Sequence, residues 1–364
     1  MNVLRCFILC LAFALGLSFA VAQTDLLYYD PAGEGAFYAT DGNGNIQLLK
    51  LQNGWRHTWS IIVPGDFGGD DHTDLLFYDP AGEGAFYATD GNGNIQLLKL
   101  QSGWRHTWSI IVPGDFGGDG HTDLLFYDPA GEGAFYATDG NGNIQLLKLQ
   151  SGWRHTWSII VPGDFGGDGH TDLLFYDPAG EGAFYATDGN GNIQLLKLQS
   201  GWRHTWSIIV PGDFGGDGHT DLLFYDPTAG EGAFYATDGN GNIQLLKLQN
   251  GWRHTWSIIV PGDFGGDGHT DLLFYDPTAG EGAFYATDGN GNIQLLKLQN
   301  GWRHTWSIIV PGDFGGDGHT DLLFYDPTAG EGAFYATDGN GNIQLLKLQS
   351  GWRRTWSMIV SGDY

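Results

Sequence analysis

Three aspartates spaced four apart recur along this chain. Asp115-Phe-Gly-Gly-Asp119-Gly120-His-Thr-Asp123 is one instance. The spacing returns at Asp66, Asp70 and Asp74, at Asp164, Asp168 and Asp172, and at Asp213, Asp217 and Asp221. It returns again at Asp263, Asp267 and Asp271, and at Asp313, Asp317 and Asp321. Carboxylates are hard oxygen donors, calcium takes several of them at once, and a glycine in the loop permits the bend that gathers them. Each triplet is therefore a candidate calcium loop, six in all. The same aspartates could instead accept hydrogen bonds from the amides of their own turn, and both readings stay open on sequence.

A second group is aromatic and basic. GWRHTW stands at 54–59, 103–108, 152–157, 201–206, 251–256 and 301–306, and GWRRTW at 351–356. A sugar ring offers an apolar C–H face to an indole and hydroxyls to polar side chains, and tryptophan adds an N–H donor. The candidate carbohydrate-binding residues are Trp55, Arg56 and His57; Trp104, Arg105 and His106; Trp153, Arg154 and His155; and Trp202, Arg203 and His204. Trp252, Arg253 and His254, Trp302, Arg303 and His304, and Trp352 with Arg353 complete the set. The second tryptophan of each pair, such as Trp108, precedes an apolar run and is expected in the packing. The first could also pack over the edge of its own sheet, with the arginine stacked on it.

These clusters are held in register by an internal repeat. TDLLFYD begins at Thr73, Thr122, Thr171, Thr220, Thr270 and Thr320, and TDLLYYD at Thr24, so the period is 49 residues, then 50. The longer units carry one inserted threonine, Thr228, Thr278 or Thr328, which marks an exposed loop. Each unit holds four strand-like runs: SIIVPGDF (109–116), DLLFYD (123–128), GAFYATD (133–139) and NIQLLKLQ (143–150). Turn residues rich in Gly, Asn, Asp and Pro separate them. Four short strands repeated seven times predict an all-β, seven-bladed β-propeller of four-stranded antiparallel blades. The chain opens at the second strand of a unit and ends on a first strand, WSMIVSGDY (356–364). Pairing that C-terminal strand with the N-terminal three would close the ring and remove two open edges. Alternating strand directions put the aspartate loop and the DGNGN turn at one end of each blade, and DPAGEG with GWRHTW at the other.

The stretch GDFGGDGHTDLLFYD resembles the FG-GAP or VCBS repeat, and every repeat carries it. The resemblance implies an integrin-α-like seven-bladed propeller, with calcium held by positions one, three, five and nine of such a loop. This chain departs at position three, which is Gly68, Gly117, Gly166, Gly215, Gly265 or Gly315. One side-chain ligand is thus missing from each loop, and Asp71 replaces the turn glycine of the first. The sequence is also similar to secreted fungal and bacterial seven-bladed propeller lectins, a likeness that implies sugar binding at several equivalent sites.

Composition narrows the partners. Sixteen Lys plus Arg stand against 42 Asp plus Glu, a net charge of −26. That balance opposes nucleic acid, whose phosphates need a basic surface, and it opposes an anionic membrane surface. Residues 1–22 read as a signal peptide with Arg5, an apolar core and an Ala20-Val21-Ala22 cleavage site, which leaves 23–364 as a secreted propeller domain. Near-identical repeats do not assemble differing groups around one reacting centre, so the expectation is a protein that is not an enzyme. The favoured function is multivalent, lectin-like binding of glycans or glycoconjugates on cell surfaces. The alternative is an integrin-like protein-binding or structural propeller.

Overall fold

A computed structural model describes residues 24–364. The expected leader at 1–22 and the mature start near Gln23 lie outside them. The structure is all-β. In one blade, β8 (Ile110–Gly114), β9 (Asp123–Asp128), β10 (Glu132–Thr138) and β11 (Ile144–Ser151) lie within two residues of the four sequence-read runs. They pair antiparallel in chain order. β9 is buried at every position, which explains its continuous apolar run in place of an alternating pattern. β11 is the edge, and most of its positions are exposed.

Among the described residues seven such four-stranded sheets are present. Six are consecutive in sequence. The seventh joins β28 (Met358–Gly362) to β1 (Asp25–Asp30), β2 (Glu34–Thr40) and β3 (Ile46–Asn53). Leu27 faces Val360 and Tyr28 faces Ile359 across the β1–β28 ladder, so the two chain ends close the ring. The inserted threonines fall in turns, as at Thr228, which is exposed.

Two compact units are distinguished by their contacts. One holds, among the described residues, 24–55, 205–236 and 244–363; the other holds 56–204, 237–243 and Tyr364. Within the second unit, Val112, Phe116, Tyr127 and Phe135 of one blade pack with Trp153, Trp157, Phe175 and Ala183. Backbone clips accompany this packing. The Gly142 N–H donates to the Phe67 carbonyl at 3.0 Å, and the Gly191 N–H to Phe116 at 2.9 Å. The Gly93 N–H donates to the carbonyl of Tyr364, the last residue, at 2.5 Å. Tyr364 thus supplies the contact that a phenylalanine of the aspartate loop supplies elsewhere.

One position is strained. Asp71 has φ 67°, and it is the non-glycine residue with positive φ among the described residues. Its equivalent Gly120 has φ 86° and open space where a Cβ would stand. A side chain there is penalised by the left-handed conformation and not by a clash. Asp71→Gly is therefore expected to stabilise the protein by about 1 kcal/mol, and urea denaturation of the two proteins measures it.

Candidate functional site

Each aspartate loop joins the first two strands of its blade. The loop aspartates at positions one, five and nine converge, as expected. Asp115, Asp119 and Asp123 each bring a carboxylate oxygen within 4.8 Å of the others, and six such groups are present among the described residues. The carboxylates also organise the turn. Asp115 accepts from the Gly118, Asp119 and Gly120 amides at 2.6, 3.1 and 3.0 Å. Asp119 accepts from the His121 amide at 3.0 Å, and the His121 ring nitrogen Nδ1 lies 3.2 Å from the same oxygen. The buried Asp123 accepts from the Thr138 amide at 2.7 Å and from the Gly117 amide. The aspartates thus brace the turn, as one sequence reading had it, and the same carboxylates leave a triad of oxygens with the spacing to hold a metal ion.

Burial pushes the Asp123 carboxyl up to about 7 against the pull of the Thr138 and Gly117 amides, and the neighbouring Asp119 and Asp115 charges raise it further. Asp172, Asp271 and Asp321 are raised to about 7, and Asp74 to about 6, for the same reasons. A buried carboxyl crowded by two others gains from a cation. The donor set, all oxygen and all carboxylate, fits a hard divalent ion.

The glycine at position three has a structural cause. A Cβ on Gly117 would stand 2.7 Å from Asp123 Oδ2. Any side chain there would displace the carboxylate that the Gly117 amide now holds. Among the described residues the composite blade has no such loop. Asp25 there is raised to about 6 by burial, partly offset by the Thr40 amide, with Asp363 adding repulsion.

The aromatic cluster lies at the other end of the blade. Its first tryptophan does not offer a free stacking face. Trp104 is 5% exposed. Its amide donates to the Gly82 carbonyl at 3.0 Å. Its ring presses on Gly84, where a Cβ would stand 2.0 Å from Cζ3, so only glycine fits. Phe126 of the following blade lies 4.8 Å away between ring centroids. The second tryptophan, Trp108, is equally buried, as expected. What reaches solvent is Arg105, stacked 5.6 Å over Trp108 and ion-paired with Glu132. His106 is also exposed.

This arrangement recurs. Arg154 pairs with Glu181 and lies 4.0 Å from Asp177. Arg303 approaches Glu331 at 2.5 Å and Asp326 at 3.3 Å. Burial raises the Asp326 carboxyl, but hydrogen bonds from the Thr305 hydroxyl, the Ala329 amide, Arg303 and the Thr328 amide together hold it below its usual value. Arg353 pairs with Glu34. The threonine of the motif completes the group, as Thr305 donates to Asp326 at 2.6 Å. His254 and His304 each bring Nδ1 to 2.8 Å from the carbonyl of the proline in the DPTAGEG loop. The glutamates were not among the sequence-derived site residues. The signal for them was the DPAGEG loop, which the strand order brings to the GWRHTW connection.

Residues 115–175 and 164–224 match the FG-GAP-like repeat family. Those two overlapping stretches carry the FG-GAP-like repeat. The equivalent loops outside those residues repeat DFGG and HTDLLFYD letter for letter. No curated protein matches the sequence. Among solved structures, a putative 6-phosphogluconolactonase from Bacteroides fragilis is similar with TM-score 0.64 and 11% identity, over 93% of this chain and 98% of that one. The periplasmic gluconolactonase of Pseudomonas aeruginosa has TM-score 0.64 and 13% identity, over 93% and 99%. Sqt1 of Saccharomyces cerevisiae has TM-score 0.51 and 10% identity, over 89% and 84%. These likenesses show the fold. They also correct the expectation that the protein is not an enzyme: propellers named as lactonases share this architecture, so repetition of the blades does not exclude catalysis. A fold of this kind hosts several chemistries, and activity resides in the site. Among the described residues no helix is long and apolar enough to cross a membrane.

Proposed function

We propose that this FG-GAP propeller is a secreted, multivalent carbohydrate-binding protein whose aspartate loops hold calcium. The observation that carries the reading is a solvent-reaching arginine paired with a partly buried glutamate, repeated from blade to blade, with a buried aspartate within 4.0 Å of Arg56, Arg154, Arg253, Arg303 and Arg353. A planar guanidinium next to a carboxylate offers donors and acceptors side by side, matched to neighbouring hydroxyls of a sugar. The tryptophans act from below. They fix the backbone carrying the arginine and present a flat support under it, in place of stacking on the ligand. Glycans crowded on a surface would meet several weak sites at once, and avidity then rises by about 10²–10⁴.

Calcium would be held by Asp66, Asp70 and Asp74 and by the five equivalent triads, with backbone carbonyls and water completing its shell. Its role there is to neutralise crowded carboxylates and stiffen the loop.

A glycan array probed with the intact protein tests the reading. Binding is expected, and it should fall at least tenfold when Arg105 and its equivalents become alanine, which corresponds to about 1.4 kcal/mol. An array without signal, or one indifferent to those substitutions, would overturn it. The named gluconolactonase neighbours favour a second reading, action on sugar lactones. Hydrolysis of gluconolactone followed by proton release is the assay for that.

A further inference from the structure

The outermost strand of each blade has an unusual surface. β11 has one neighbour, β10, and its other backbone edge is open. Leu146 and Leu149 on it are 42% and 56% exposed. Among the described residues, the large apolar side chains that are exposed are all leucines of these strands, two on each. Lys148 lies between them, and every lysine of the chain occupies this same place in its repeat. Among the described residues no lysine joins an ion pair, whereas arginines of the GWRHTW clusters do, as Arg105 with Glu132. In a chain of net charge −26, the free ammonium groups are thus collected on the outer strands.

The ladder explains the geometry. Leu146 faces Tyr136 and Leu149 faces Ala134, with a bulge at Phe135/Tyr136. Side chains alternate along a strand, and a bulge adds one residue, so the two leucines share a face while Lys148, opposite Phe135, takes the other. An open edge with a leucine pair on one face and a lysine on the other is a template for a further strand.

We propose that the outer strands bind extended acidic–apolar segments of a partner protein by strand addition. The added strand places apolar side chains against the leucines and a carboxylate against the lysine, while its backbone satisfies the open edge. Charge selects this occupant. A second copy would set its own outer-strand lysines against these, and like charges repel. A lipid surface leaves the backbone groups of the edge unsatisfied. Seven equal edges would reward a partner that carries such segments in tandem.

The probe is a fluorescein-labelled peptide of alternating valine and glutamate, followed by anisotropy with the full chain. Saturable binding is expected, weaker at high salt, and tighter by about 10²-fold for a tandem peptide on a flexible linker. Lys148→Glu with its equivalents should weaken binding at least tenfold, and so should Leu146→Ser with its equivalents. Circular dichroism establishes that each variant is folded; the affected side chains are exposed. Amide exchange at 144–151 and the equivalent strands should slow when peptide is added. The proposal is overturned by any of three results: no anisotropy change, binding indifferent to both variants, or slowed exchange at other strands only. Capture by phosphatidylserine vesicles without peptide binding would also overturn it.

Discussion

A chain ending at Trp356 is expected to lose its cooperative unfolding transition near the wild-type temperature. The missing segment supplies β28, the first strand of the composite blade. Ile359, Val360 and Tyr364 are buried, and each is worth about 1.5–3 kcal/mol when fully buried. The loss, about 5–9 kcal/mol, is of the order of the whole stability of a domain, about 5–15 kcal/mol. The truncation also removes the five ladder partners of β1 and the carbonyl that holds the Gly93 amide. It leaves β1 as an open apolar edge, so aggregation should follow. A synthetic peptide of residues 357–364, added in excess, should restore part of the transition, because it binds only the folded chain. Differential scanning calorimetry with and without the peptide measures both effects. An unchanged melting temperature in the truncated chain would show that ring closure does not limit stability.

Calcium should raise the melting temperature strongly at pH 8 and weakly at pH 5. The sign follows from the loop aspartates. Asp123, Asp172, Asp271 and Asp321 have folded-state values raised from 3.8 to about 7. A carboxyl raised on folding binds its proton more tightly in the native state than in the unfolded chain. Its contribution to stability is complete below the unfolded value near 3.8 and is lost as pH rises through about 7. Metal-free protein should therefore be more stable at pH 5 than at pH 8, as far as these groups govern it. Calcium competes with the proton for the same oxygens, so its stabilisation appears where the proton has left. Thermal melts at both pH values, with chelator and with millimolar calcium, measure the interaction. Asp123→Asn with its equivalents should remove most of the calcium effect and flatten the pH dependence of the metal-free protein. Equal melts with calcium and chelator at pH 8 would mean that the aspartates only brace their turns.

Much of this was open to reading because the sequence is repeated. A sheet edge must be covered or paired, so a first strand DLLYYD that lacks its blade's leading strand and a last strand MIVSG that supplies one state how the ring closes. The strand runs lay within two residues of the observed elements, since Gly, Asn, Asp and Pro mark every turn. The aspartate triads were equally legible: close sequence spacing in a tight loop becomes close spatial spacing. Their glycine at position three was legible only as a missing ligand. Its cause, the approach of Asp123 Oδ2 to within 2.7 Å of a Cβ on Gly117, required coordinates.

The tryptophans mark where sequence reasoning stops. An indole in a glycine-flanked connection reads either as available to ligand or as packed over its own sheet edge, and nothing local decides between them. Trp104 is buried because Gly84 of its own blade leaves a slot and Phe126 of the next closes it. Arg105 and Glu132 meet because a strand reverses between them. The amino-acid order by itself determined the all-β repeat, its count, its closure and its carboxylate loops, since periodicity and turn chemistry are properties of neighbours along the chain. Which side chains face solvent, which are wedged between blades and which leucines stay uncovered was decided only by tertiary structure, because burial depends on what residues far along the chain bring to the same place.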